Sequence, residues 1–192
     1  MSTIPHIWHC DCGAVEIEIT PPKGTRALCY CRDCQAFLRH LDRLDLTDHA
    51  GGTDLFQTTA NSVRITRGDE KLAALRLSSK GPIRWYTSCC STPMCNTGAS
   101  RALPLASFTT AGFKTQSAIG PVQAHVNLKG ATAHVENPVG SLRALIVAFL
   151  PRALKSLFTG AFRKSPFFDD KGRAKVKPKR LSEAERAAAY AG

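Results

Sequence analysis

Eight cysteines are the residues of this 192-residue chain whose types and spacing could do chemistry, and seven of them fall into three tight groups. Cys10 and Cys12 are one residue apart, Cys29, Cys31 and Cys34 follow, and Cys89 and Cys90 are adjacent, with Cys95 five residues on. Thiolates grouped in this way are metal ligands or redox nucleophiles. Residues one apart rarely satisfy disulfide torsions, so a disulfide framework is disfavoured and zinc is the expected partner. Cys31-Arg32-Asp33-Cys34 also has the spacing of a redox pair, after a strand and before a short helix. Cys29 and the rest of the chain do not continue the βαβ frame such a pair needs. The first thirteen residues, MSTIPHIWHCDCG, show neither a basic run nor an apolar leader stretch. The expected compartment is therefore the cytoplasm, where thiols stay reduced.

The elements that must position these groups read as short strands. Residues 15–19 alternate apolar and polar directly after the Cys10-Asp11-Cys12-Gly13 turn. Gly13 can take the positive φ that brings backbone N–H groups up to thiolate sulfur. Pro21, Pro22 and Gly24 break that strand, and residues 26–30 form the next, followed by a short helix over 35–42. Further strands are expected at 54–59, 62–66, 72–77 and 83–87, separated by turn signals at Gly51 and Gly52, Asn61, Gly68 and Asp69, and Gly81 and Pro82. Many short strands at this spacing predict a mainly β fold. Residues 124–127 and 133–136 are similar and could pair as a hairpin.

The character changes at residue 141. Ser141 can cap a helix beginning at Leu142, residues 144–150 are all apolar but too few to cross a bilayer, and Pro151 predicts a kink or interruption. A helix over 142–158 would close an open sheet face by burying Leu145, Phe149 and Leu150, with membrane docking as the alternative. Residues 165–192 read as a basic, flexible tail holding one short helix, which Ser182 and Glu185 can cap. Residues 1–140 hold 14 Lys and Arg against 11 Asp and Glu, and residues 141–192 hold 12 against 4, so most of the net charge of +11 lies in the last quarter. Lys175, Lys177, Lys179 and Arg180 could touch nucleic acid or an anionic membrane, although no aromatic residues interleave them as a stacking platform would need. The chain thus divides into a zinc-binding domain over 1–140, an amphipathic helical segment over 141–164 and a tail over 165–192.

Read together, Cys10-x-Cys12-Gly13 before an alternating strand, Cys29-x-Cys31-x2-Cys34, the Gly68-Asp69-Glu70-x-Leu72 turn and the run from Arg84 to Pro93 (RWYTSCCSTP) resemble the glutathione-dependent formaldehyde-activating enzyme and centromere protein V (CENP-V/GFA) family, over residues 8–97. The resemblance implies a β-tent, a zinc-binding fold of short antiparallel strands, here with an added C-terminal helix. It implies a structural zinc on Cys10, Cys12 and Cys90, and a second zinc on Cys29, Cys31 and Cys34 with one open position. Thr87 stands where the pattern has a further ligand. Cys89 is the expected replacement, with Cys95 or His9 as substitutes. By resemblance the open site would take glutathione or another small thiol and act as a carbon–sulfur lyase on the thiol adduct of a small aldehyde. Asp33, His40, His49, Gln35 and Arg32 lie near the second group in sequence, and no catalytic role is assigned to them. Two other readings stand beside the enzyme: a zinc-stabilised binding or scaffold module, and a nucleic-acid or membrane-surface adaptor using the basic tail.

Overall fold

The computed structural model describes residues 4–191, apart from the side chain of Gln116, and the fold is mainly β. Strands β1 (His6–His9), β2 (Glu16–Ile19) and β5 (Val63–Arg67) form a small antiparallel sheet in the order β1-β2-β5. The larger sheet has eight strands, in the order β10 (Val122–Val126), β3 (Thr25–Cys29), β4 (Thr53–Thr59), β9 (Leu105–Thr109), β8 (Pro93–Thr97), β7 (Ile83–Thr87), β6 (Leu72–Arg76) and β11 (Lys179–Arg180). Its inner pairings are antiparallel, whereas β10 and β11, at the two edges, run parallel to β3 and β6. The helices are α1 (Arg32–His40), α2 (Leu142–Phe158) and α3 (Glu183–Tyr190).

Alternation along the strands divides the interior into layers, because successive side chains point to opposite faces. Phe56 and Ala74 join Trp8, Ile17 and Ile19 in one core shared with the small sheet. Their neighbours face the other way: Leu55 packs with Leu145 of α2, and Leu75 packs with Phe37 of α1 and Ala189 of α3. The large sheet therefore carries the small sheet on one face and the helices on the other.

All six strands expected from alternation and turn signals form, within a residue or two of their expected ends. Those these signals do not reveal are β1, β8, β9, β10 and β11. In β8 Pro93, Met94 and Cys95 are all buried, so no two-residue pattern marks it. The hairpin of 124–127 with 133–136 does not form: residues 124–126 lie in β10 beside β3, and 133–136 are not in a strand. Ser141 caps α2 by accepting from the Ala144 N–H at 3.1 Å, but Pro151 does not interrupt the helix. The carbonyl of Val147, which loses its donor to Pro151, belongs to an exposed residue, so water can satisfy it. Leu145 is buried and Phe149 half-buried, whereas Leu150 faces solvent. Among the described residues no helix is long and apolar enough to cross a membrane.

The segment after residue 164, expected as a flexible tail, is built into the fold. Phe167 is fully buried against Trp85, with ring centroids 5.0 Å apart, and Phe168 is buried beside it. Lys179 and Arg180 form β11, and Ser182 and Glu185 complete the capping box of α3, which packs on α1.

Candidate metal centres

The first centre joins two turns that are distant in sequence. Between β1 and β2, Gly13 adopts φ +70°, its N–H donates to the Cys10 carbonyl at 2.9 Å, and the Val15 N–H donates to Cys10 Sγ at 3.2 Å. Between β7 and β8, Ser91 takes φ +53° and its N–H donates to the Thr87 carbonyl at 2.9 Å. That turn removes the strand alternation that would send Cys89 and Cys90 to opposite faces. The two turns are tied by the Asp11 N–H, which donates to Thr92 Oγ1 at 3.1 Å.

Four sulfurs meet there. Cys10 lies 3.6 Å from Cys12 and 3.9 Å from Cys89, Cys12 lies 3.3 Å from Cys89, and Cys89 lies 3.7 Å from Cys90. Burial pushes the Cys90 thiol up, but the hydroxyls of Thr87 and Thr92 and a backbone N–H at Cys12 outweigh it and bring it down to about 5. Thr87, which is no metal ligand, thus supports the thiolate three residues on, its Oγ1 lying 3.3 Å from the sulfur. Burial pushes Cys89 up to about 12, helped by hydrogen bonding with its thiol neighbours. The substitutes considered for this site lie elsewhere: Cys95 is buried in the core, and His9 Nε2 pairs with Glu16 at 3.1 Å.

The second centre is local. Cys29 ends β3, Cys31 caps α1 with its Sγ accepting from the Cys34 N–H at 3.3 Å, and Cys34 lies in the first turn of that helix. Cys34 Sγ is 3.8 Å from Cys29 Sγ, and the three sulfurs all lie within 4.8 Å of one another. The loop before the helix is held by Gln35, whose Nε2 donates to the carbonyls of Tyr30 at 3.0 Å and Gly130 at 2.8 Å. Gly130 is required there, because a Cβ would collide with the Tyr30 carbonyl.

Charge at the second centre is supplied from far along the chain. Arg84 is buried, with Nη1 3.8 Å from Cys34 Sγ and 3.2 Å from Asn96 Oδ1, and Nη2 3.8 Å from Asp33 Oδ2. Its guanidinium lies over the Phe37 ring, 5.4 Å from the centroid. Burial disfavours the charge on Arg84, but the thiolates of Cys34 and Cys31 and the Asp33 carboxylate hold it in place. Hydrogen bonds from Cys29 and Cys31 pull the Cys34 thiol well below its ordinary value against burial, and Arg84 adds to this. Asn127 Nδ2 donates to Cys29 Sγ at 3.4 Å.

Of the polar residues near this group in sequence, Asp33 accepts from the Tyr190 hydroxyl at 2.6 Å, and Arg32 lies over the Tyr190 ring. Gln35 is structural. His49 Nε2 pairs with the His134 carbonyl, and the surroundings of His40 are Lys179 and Glu185. Sequence reasoning missed Arg84, Asn127 and Tyr190 as partners of the group: each arrives from a distant element, and the run that Arg84 opens was read for its cysteines alone. All eight cysteines are free of disulfides. The two clusters, Cys10, Cys12, Cys89 and Cys90, and Cys29, Cys31 and Cys34, are each near enough to hold a metal ion.

Among solved structures, that of a Rhodobacter sphaeroides protein is similar to this chain at 21% identity, over 60% of this chain and 96% of its own, with a TM-score of 0.43. No curated protein matches. The family expected from the cysteine pattern is corrected by the family comparison, and the lyase activity drawn from that resemblance loses its basis. Spacing of thiols around turns is dictated by metal geometry, so unrelated activities can share it. The family model that matches, over residues 1–177, is not CENP-V/GFA, and the chain belongs to a family of unknown function, DUF6151.

Proposed function

We propose that this protein holds two zinc ions: a closed structural ion on Cys10, Cys12, Cys89 and Cys90, and a second on Cys29, Cys31 and Cys34 whose fourth position takes a small thiol. The observation that carries the reading is sulfur spacing. Zn–S bonds of about 2.3 Å in a tetrahedron separate the sulfurs by about 3.8 Å. Contacts of 3.3 to 3.9 Å among the first four sulfurs, and of 3.8 Å between Cys29 and Cys34, match that figure. All-sulfur donors favour zinc over harder ions such as magnesium or calcium. Three thiolates leave a bound divalent ion with one net negative charge, which the buried Arg84 offsets. They also make it a weak Lewis acid, so exchange with an incoming thiol is easier chemistry than activation of water. The reduced thiols this requires suit a compartment such as the cytoplasm.

One observation favours a second reading, in which both ions are structural: Cys29 and Cys34 are buried and Cys31 caps α1. Metal analysis tests the two sites that both readings share, and the ligand variants separate the readings. The purified protein is expected to carry two zinc ions per chain, and a value near one would overturn the proposal. Cys10→Ser is expected to lose one ion and at least about 3 kcal/mol, since a structural zinc contributes roughly 10 kcal/mol or more through its four ligands. Cys31→Ser is expected to lose the other ion and stay folded, whereas cooperative unfolding would favour the structural reading. In the cobalt-substituted protein, glutathione should alter the charge-transfer bands only while Cys31 is present.

A further inference from the structure

The outward side of α2 is an apolar surface that the fold leaves uncovered. Ile146, Leu150, Leu154 and Phe158 recur at intervals of four and so form one stripe, with Val147 beside it. All five are exposed, Val147 to 60% and Phe158 to 87%. The helix is attached to the protein by a separate row, with Leu145, Ala153 and Ser156 buried. It is thus apolar on both sides, and packing accounts for one of them only. An apolar stripe of this extent on a soluble surface marks a contact site.

The charge around the stripe points to the contacted material. Residues 141–164 hold five cations, Arg143, Arg152, Lys155, Arg163 and Lys164, and no Asp or Glu. Among the described residues none of the five forms an ion pair. Beside the helix lies a cleft of about 340 Å³ lined by Lys23, Arg152 and Lys155 together with hydroxyl-bearing Thr59, Ser62 and Thr159, and no carboxylate lines it. Arg152 donates from Nη2 to Thr25 Oγ1 at 2.9 Å, while its Nε is buried without a partner. Arg152 and Lys155 thus bring positive charge without a countercharge to a cleft that no carboxylate lines, and an anion from outside would supply it.

We propose that α2 docks on an anionic phospholipid surface, its apolar stripe entering the acyl boundary while the Lys23, Arg152 and Lys155 cleft receives a headgroup phosphate. At 17 residues the helix is about 25 Å long and would lie in the plane of the interface. A second copy is a poor occupant, because two segments with five uncompensated cations each would face one another.

The test is co-sedimentation of the full-length, zinc-loaded protein with phosphatidylcholine vesicles, with and without phosphatidylglycerol. Retention is expected only with phosphatidylglycerol, and it should fall as salt rises. Val147→Ser combined with Phe158→Ser should weaken it about tenfold or more, and Lys23→Glu combined with Lys155→Glu should abolish the preference for anionic vesicles. These four side chains are exposed, so an unchanged melting temperature and zinc content will show that the variants fold. No retention on phosphatidylglycerol vesicles, or retention untouched by the double serine change, would overturn the proposal. So would saturable binding of inorganic phosphate without vesicle retention, or a solution dimer that the double serine change converts to monomer.

Discussion

Arg84 is the residue that couples the second thiolate group to the rest of the molecule. It touches Cys34, Asn96 and the Phe37 ring from a position almost closed to water. Removing one member of a buried charge pair costs about 3 to 5 kcal/mol, because the other is left uncompensated. Arg84→Met, which keeps most of the volume, is therefore expected to destabilise the protein by about 3 kcal/mol and to weaken zinc retention at Cys29, Cys31 and Cys34 while sparing the other site. Thermal melts and a zinc count on the variant check both. The cysteines themselves were legible, because clustered thiols have few uses. Arg84 was not: it reads as a charged residue in a strand, and only the pairing of β7 beside β8, with α1 above it, explains its burial.

At the scale of elements, β2 could be read from its alternation, with Ile17 and Ile19 buried between half-buried glutamates, and β3 to β7 from the turn residues that bound them. Strand β8 is buried on both faces and β10 pairs with a strand nearly a hundred residues earlier, so periodicity could reveal neither. Helix α2 was legible from its cap, but its outward apolar stripe is at odds with the simple expectation that apolar residues point inward. Pro151 sits inside that helix on the exposed side. A helical proline costs about 3 kcal/mol relative to alanine. Pro151→Ala should accordingly stabilise the protein by about 2 kcal/mol, or roughly 6 °C in melting temperature. Helix α3 makes a different prediction. The Lys179 ammonium, with the N–H and hydroxyl of Ser182, holds the Glu185 carboxyl at about 2, below its ordinary value of 4.5. The stabilisation it lends is complete above the ordinary value and is lost as pH falls through about 2. Amide protection in α3, corrected for the intrinsic pH dependence of exchange and measured from pH 6 downward, should fall over that window before protection in the sheet does.

At the scale of the whole molecule, the last residues close what the first begin. Phe167 is fully buried between Trp85 and Phe108, which belong to the core shared by both sheets. Phe167→Ala should cost about 3 to 5 kcal/mol in a denaturant titration, a loss that a solvated tail would not produce. The basic composition of this stretch hid its two anchoring phenylalanines. The same long reach has a consequence in time. The second thiolate group spans five residues of chain, while Cys10 meets Cys89 across 79. At a synthesis rate of about 5–20 residues per second, Cys10 and Cys12 wait roughly 4 to 16 seconds for their partners. During that interval the earliest thiols of the nascent polypeptide are exposed to oxidants and to competing metals, so the cell that makes this protein must shelter them before the fold can.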